Sequence, residues 1–151
     1  VNFPLLIYIA AVFSVGHALE GTGFTAHLAA SLTGWLDLSK GSVLLKLGAI
    51  TWLVVPFNFL MDTAAVAGVL TPVLLDFGAS IGLAPVPVAL SVAVGTGLVF
   101  IPYQAAPFVV AYSFRHVRMG QFILLMFLIS IITLLLLLPL NLLYWRLIGF
   151  V

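Results

Sequence analysis

The sequence predicts an all-α integral membrane protein, and three observations carry the prediction. The chain is apolar, it is nearly without charge, and its apolar runs are measured out by prolines, glycines and single carboxylates. Apolar residues make up 64% of the 151 and charged residues only 6%. An ordinary soluble domain is ~45–50% apolar and ~25% charged. Water cannot solvate a surface so poor in ions, whereas lipid can. Net charge is +1, which leaves no electrostatic case for a nucleic-acid partner. Cysteine is absent and the three histidines are scattered, so thiol chemistry is excluded and a metal site is not expected. No Gly-x-Ser-x-Gly and no metal-spaced His/Asp/Glu set appears, so the chain does not read as an enzyme and no organic cofactor is implied. It opens Val1-Asn2-Phe3-Pro4, without methionine or a basic n-region, and no signal peptide is visible. That opening suggests a processed product or, as expected here, a piece of a longer chain.

Charge spacing sets the elements. A helix needs ~20 apolar residues to cross the hydrocarbon core. Residues 3–19 form a first run of that kind, ending at His17, Glu20 and Gly21. His17 and Glu20 read as a capped helix end in preference to a proton-relay pair. Residues 24–36 are too short to cross alone, and 1–36 is assigned as a spanning or broken-helix region. The runs 47–61 and 63–75 are again short and are separated by Asp62. Two half-length helices meeting at a polar tip predict a re-entrant hairpin over 42–82, with its tip near 58–63. Such a tip is tolerable only where protein buries it or water reaches it. From Asp76 to Arg115 there is no charge, but Pro102 and Pro107 interrupt the run. Proline removes a backbone donor and clashes with the preceding turn. Residues 86–114 are therefore predicted as a broken helix with its break at 102–107. A last span follows over 119–149, anchored by Tyr144 and Trp145 at the interface and kinked by Pro139. Arg115, His116 and Arg118 form the only basic cluster and mark a cytoplasmic loop.

A hairpin tip and a broken helix in one bundle resemble a transporter. Helix N-termini there face anions, and unwound carbonyls face cations. The stretch Asn58-Phe59-Leu60-Met61-Asp62-Thr63, running through Ala64 to Thr71-Pro72, resembles the hairpin motif of the divalent anion/sodium symporter (DASS) family. The run Phe100-Ile101-Pro102-Tyr103-Gln104-Ala105-Ala106-Pro107 is similar to that family's second broken helix. Upstream, residues 17–24 resemble the Ala-Leu-x-x-Thr-Gly-Leu run that precedes the hairpin. The three occur in the family's order and correspond to the C-terminal half of its fold. The resemblance implies one repeat of an inverted-repeat fold, whose site is completed by a complementary N-terminal half or a second protomer. Two departures stand out. The family's Ser-Asn-Thr tip reads Met61-Asp62-Thr63 here, and its Thr-Pro is replaced by Ala105-Ala106.

The candidate solute- and ion-binding residues are Asn58, Asp62, Thr63, Pro102, Gln104 and Pro107, with a possible Na+ near Asp62 and Thr63. A carboxylate at membrane depth costs ~2.5–3.5 kcal/mol on insertion scales, so it is usually kept for a function. Asp62 can ligate a cation or carry a coupling proton; alternatively it is solvated at the tip. Asn58 either lines the tip or hydrogen-bonds locally. Gln104 is a candidate solute or ion contact. Thr96, between Gly95 and Gly97, reads as close helix packing. The expected function is half of a secondary transporter for a small anionic solute, a di- or tricarboxylate or an inorganic anion, coupled to Na+ or H+. The expected location is a prokaryotic inner membrane. The rival is a non-transporting membrane subunit of a larger complex. A transporter half brings Asn58, Asp62, Thr63 and Gln104 together on one wet cavity, whereas a structural subunit scatters them.

Overall fold

The computed structural model describes residues 41–114 and 117–151, together with Ile7, Ser14, Ala18, Thr22, Gly23, His27, Ala30 and Ser31. Most of the first span and of the 24–36 run, together with His17, Glu20, Arg115 and His116, lie outside the described residues. Every regular element among the described residues is helical. Helix α1 (Val43–Asn58) starts at Ser42, whose hydroxyl accepts the Leu45 N–H at 3.3 Å. Helix α2 (Thr63–Ser80) starts at Asp62 and ends in a glycine-closed turn. There Gly82 takes φ +78°, and the Leu83 N–H returns to the Gly78 carbonyl at 2.9 Å. Only glycine enters that left-handed region without a steric cost. Pro85 opens helix α3 (Pro85–Thr96), where its missing N–H would have had no helical partner. After an irregular stretch containing a 3-10 turn (Pro102–Gln104), helix α4 covers Ala106–Ser113.

The C-terminal helix runs from Met119 to Leu147 as α5 (Met119–Ile132), a π turn (Thr133–Leu137) and α6 (Leu138–Leu147). Its 29 residues extend about 43 Å at 1.5 Å per residue, more than the ~30 Å core, so a crossing at this length is tilted. The chain meets Pro139 with the widened π turn just before it, in which the Leu138 N–H reaches back to Thr133 O. Widening there relieves the contact between the proline ring and the preceding turn. Helix α2 is also long and apolar enough to cross a membrane, because it continues through Asp76 to Ser80. The helix is thus longer than the 63–75 run that the charges delimit, because Asp76 continues it instead of ending it.

Helix α3 lies in the fork between α1 and α2 and packs far more extensively on each than they pack on one another. The seams are lined at helical spacing by Leu47, Ile50 and Val54 of α1, and by Val66, Leu70, Leu74 and Phe77 of α2. Val88 and Val92 of α3 complete them. Two glycines set how closely the helices approach. A β-carbon on Gly95 would lie 2.8 Å from Val54 Cβ and 3.0 Å from the Thr51 carbonyl. One on Gly78 would lie 2.6 Å from Val88 Cγ2. The small-residue pattern around Thr96 thus does serve packing, with Gly95 at the contact. Gly95→Ala is expected to lower stability by about 1–3 kcal/mol, because Val54 Cβ and a backbone oxygen cannot step aside. A thermal melt in detergent measures this, and an unchanged melting temperature would contradict the close approach.

Candidate functional site: the hairpin tip and the helix break

Helix α3 leaves off at Thr96, well before the first proline of the break, and the chain stays non-helical through residue 101. Pro102 forces the residue before it into extended backbone, and Ile101 has φ −133° and ψ 141°. Extended chain inside a protein must find partners for every N–H and C=O it releases. Side chains from three different elements supply them.

Asn58, at the last position of α1 and fully buried, donates through Nδ2 to the Gly95 carbonyl at 2.8 Å and to the Leu98 carbonyl at 3.0 Å. Gln104, also fully buried, accepts the Phe100 and Ile101 N–H groups on Oε1 at 2.5 and 2.9 Å. Its Nε2 donates to the Asn58 carbonyl at 2.5 Å. Ser130 of α5 donates to the Val99 carbonyl at 2.9 Å. On the rim, the Tyr103 hydroxyl donates to the Phe59 carbonyl at 2.5 Å. Phe100 stacks on Phe59 at 4.9 Å and meets the edge of Phe127 at 5.7 Å. The end of α1, the turn at residues 59–62 and the break are therefore one bonded unit.

The predicted site residues fall into three positions in this unit. Asn58 and Gln104 meet, but in a dry contact. Gln104 turns into the protein, its carboxamide committed to the backbone of the break. Asp62 and Thr63 sit at the half-exposed tip. The Asp62 carboxylate accepts the Ala64 and Ala65 N–H groups, both at 3.0 Å, as the N-cap of α2. A carboxylate there satisfies two helix-end donors and opposes the positive end of the helix dipole. Pro102 is buried at the start of the 3-10 turn, and Pro107 is exposed in the first turn of α4. The unwound stretch is thus 97–105 and not 102–107, with Pro107 inside a helix at a position that needs no N–H.

The α1–α3 seam carries further polar groups. The Thr51 hydroxyl donates to the Ser91 carbonyl at 3.1 Å. Among the described residues, Asn58 Oδ1 and Ser91 Oγ are buried without a hydrogen-bond partner. Lys46, largely buried at the start of α1, donates to the Ile81 carbonyl at 2.7 Å and so ties the beginning of α1 to the end of α2. Sequence reasoning passed over Lys46, Thr51, Tyr103 and Ser130. The seven-residue spacing of Thr51 and Asn58 was the available signal for a polar stripe, since seven residues return to one helix face. A cavity of about 450 Å³ lies elsewhere, between Val94 and the C-terminal helix, lined also by Thr133, Leu138, Asn141 and Tyr144. None of the predicted site residues lines it.

No group of three His, Asp or Glu side chains that could hold a metal occurs among the described residues. What the unit offers instead is a half-exposed carboxylate and hydroxyl, an uncommitted buried amide oxygen and a helix start without a side-chain cap at α4. Neither the curated proteins nor the solved structures give a match. The model of the sodium:sulfate symporter transmembrane region matches the chain over residues 2–151, so this apolar, helical protein belongs to that family of membrane anion transporters.

Proposed function

We propose that the chain forms one half of the translocation site of a secondary active transporter for a small dianion, sulfate or a dicarboxylate. The observation supporting this is the bonded unit of hairpin tip and break. It joins the unwound segment, through Asn58, Gln104 and Tyr103, to the end of α1 and to Phe59, which lead directly into Asp62 and Thr63 along the chain. In this reading the positive end of the α4 dipole faces the anion, since helix N-termini favour negative charge. Asp62 and Thr63 take the coupling cation, Na+ or H+. A fixed carboxylate repels an anionic solute, so Asp62 beside that site must be neutralised during the cycle. The family match favours sodium, with a proton as the alternative coupling ion. Asn58 and Gln104 act as positioning residues that hold the break.

Helices α1 and α2 make a re-entrant hairpin in this reading. The Lys46–Ile81 bond supports it by holding both hairpin ends at one end of the bundle. Cysteines placed at positions 41 and 80 are then expected to react with an impermeant maleimide from the same side of the membrane. Labelling from opposite sides would sink the hairpin.

One hairpin and one broken helix supply half of an inverted-repeat site. The chain reconstituted alone is expected to be inert towards sulfate and succinate under an imposed sodium or proton gradient. Uptake is expected once the complementary half is present. Concentrative uptake by a demonstrated monomer of this chain refutes the half-site reading.

A further inference from the structure

We propose that the π turn at Thr133–Leu137 sets the register that aims Ser130 at the helix break, making Ser130 a positioning residue of the transport site. The second half of this statement rests on reading the break as part of that site.

The buried positions of the C-terminal helix are Met126, Ser130, Leu134, Leu138, Leu142 and Trp145. Up to Leu142 they are spaced by four. At 100° per residue a straight α-helix turns about 400° over each such step, so every step drifts by about 40°. From Ser130 to Leu138 the drift would reach about 80°, enough to carry Ser130 off the buried face. A π turn holds one extra residue and takes that drift back. The two halves of the helix can then address different partners with one face. The α5 half packs on the 3-10 turn of the break, and the α6 half packs on α1. Leu142 Cδ1 approaches the point where a Gly48 β-carbon would stand, at 3.6 Å.

The hydroxyl bond supports the same conclusion independently. A helical serine ordinarily turns back to the carbonyl four residues earlier. Ser130, 3% exposed, donates instead to Val99 O in another segment. That carbonyl belongs to the unwound chain and follows directly on Leu98, whose own carbonyl Asn58 holds. Moreover, residues 134–138 are all leucine. Removing one or two of them leaves an all-leucine segment, so the variants differ chiefly in register.

Deletions in this run therefore read register. Taking out Leu136 removes the extra residue and lets a plain α-helix keep Ser130 in place, whereas taking out Leu135 and Leu136 together brings Ile129 to the place of Ser130. The expected pattern in the assembled transporter, in phosphatidylethanolamine–phosphatidylglycerol vesicles, has three parts. Ser130→Ala and the double deletion each speed hydrogen exchange across residues 97–105, and the single deletion does not. Ser130→Ala and the double deletion also raise the half-saturating concentration of labelled sulfate or succinate on the order of fivefold, the equivalent of one hydrogen bond. Adding Ile129→Ser to the double deletion restores both readouts, which no general loss of packing would do. A single deletion that speeds exchange, a double deletion that does not, or one that Ile129→Ser fails to rescue, overturns the register assignment and leaves the transport reading standing. Exchange that follows the pattern while uptake responds only to Asp62→Asn removes Ser130 from the site. Uptake indifferent to Asp62→Asn as well leaves Asp62 only as the cap of α2 and removes the tip and the break from the site reading.

Discussion

Gln104→Leu is expected to leave no monodisperse protein after extraction into detergent. Leucine fills a comparable volume but strands three backbone groups in a fully buried place: the N–H groups of Phe100 and Ile101 and the carbonyl of Asn58. Each unsatisfied buried group costs about 1–3 kcal/mol, so the three together cost roughly 3–9 kcal/mol. That is comparable with the whole stability of a domain, about 5–15 kcal/mol. Two controls grade the effect. Gln104→Glu keeps an acceptor for both N–H groups but loses the donor to Asn58, and its loss is expected to be intermediate. Tyr103→Phe removes one hydroxyl bond at the half-exposed rim and is expected to cost about 1 kcal/mol or less. Size-exclusion profiles and thermal melts of the three variants give the order. Gln104→Leu with the parent's melting temperature would mean that the amide does not hold the break.

Asp62→Asn is expected to separate the two tasks assigned to this residue. Asparagine caps a helix as well as aspartate does, so α2 keeps its start and the protein keeps its melting temperature. The charge, however, is gone. If Asp62 meets the coupling cation or proton, its removal uncouples ion from solute while solute binding survives. Coupled binding of two ligands typically changes affinity by about 5–150-fold. That factor, read as the ratio of sulfate or succinate affinity with and without the ion, is expected to fall to about one. Concentrative uptake should fall with it, and its dependence on pH or sodium should flatten. Asp62→Ala gives the converse control: it removes cap and charge together and is expected to cost about 1 kcal/mol of stability as well. An Asp62→Asn protein that keeps full concentrative uptake with the parent's ion dependence would leave Asp62 only as the cap.

The class of the protein was legible from composition, because no solvent except lipid accepts a chain with 6% charge. The turn between α1 and α2 was legible too. Asp62 is a strong N-cap residue standing between two apolar runs, and capping is a local interaction. So was the presence of a break near Pro102, since a proline acts on the turn just before it. The extent of the break was not. It begins at Gly97, several residues before the proline, because Asn58 and Ser130 offer partners to carbonyls that would otherwise have stayed in a helix. Those partners come from residues 40 and 31 positions away along the chain, beyond any local pattern. The role of Gln104 was hidden for the same reason. A glutamine between two prolines reads as a solute contact until the fold shows which way its amide faces. The π turn was hidden as well, because five leucines in a row show no face. The sequence by itself determined solvent, helix starts and the place of the proline, all set by composition or by neighbours within one turn. Tertiary structure alone decided which polar side chains serve the site and which serve the backbone, because a buried amide takes whichever unpaired groups the packing brings within about 3 Å.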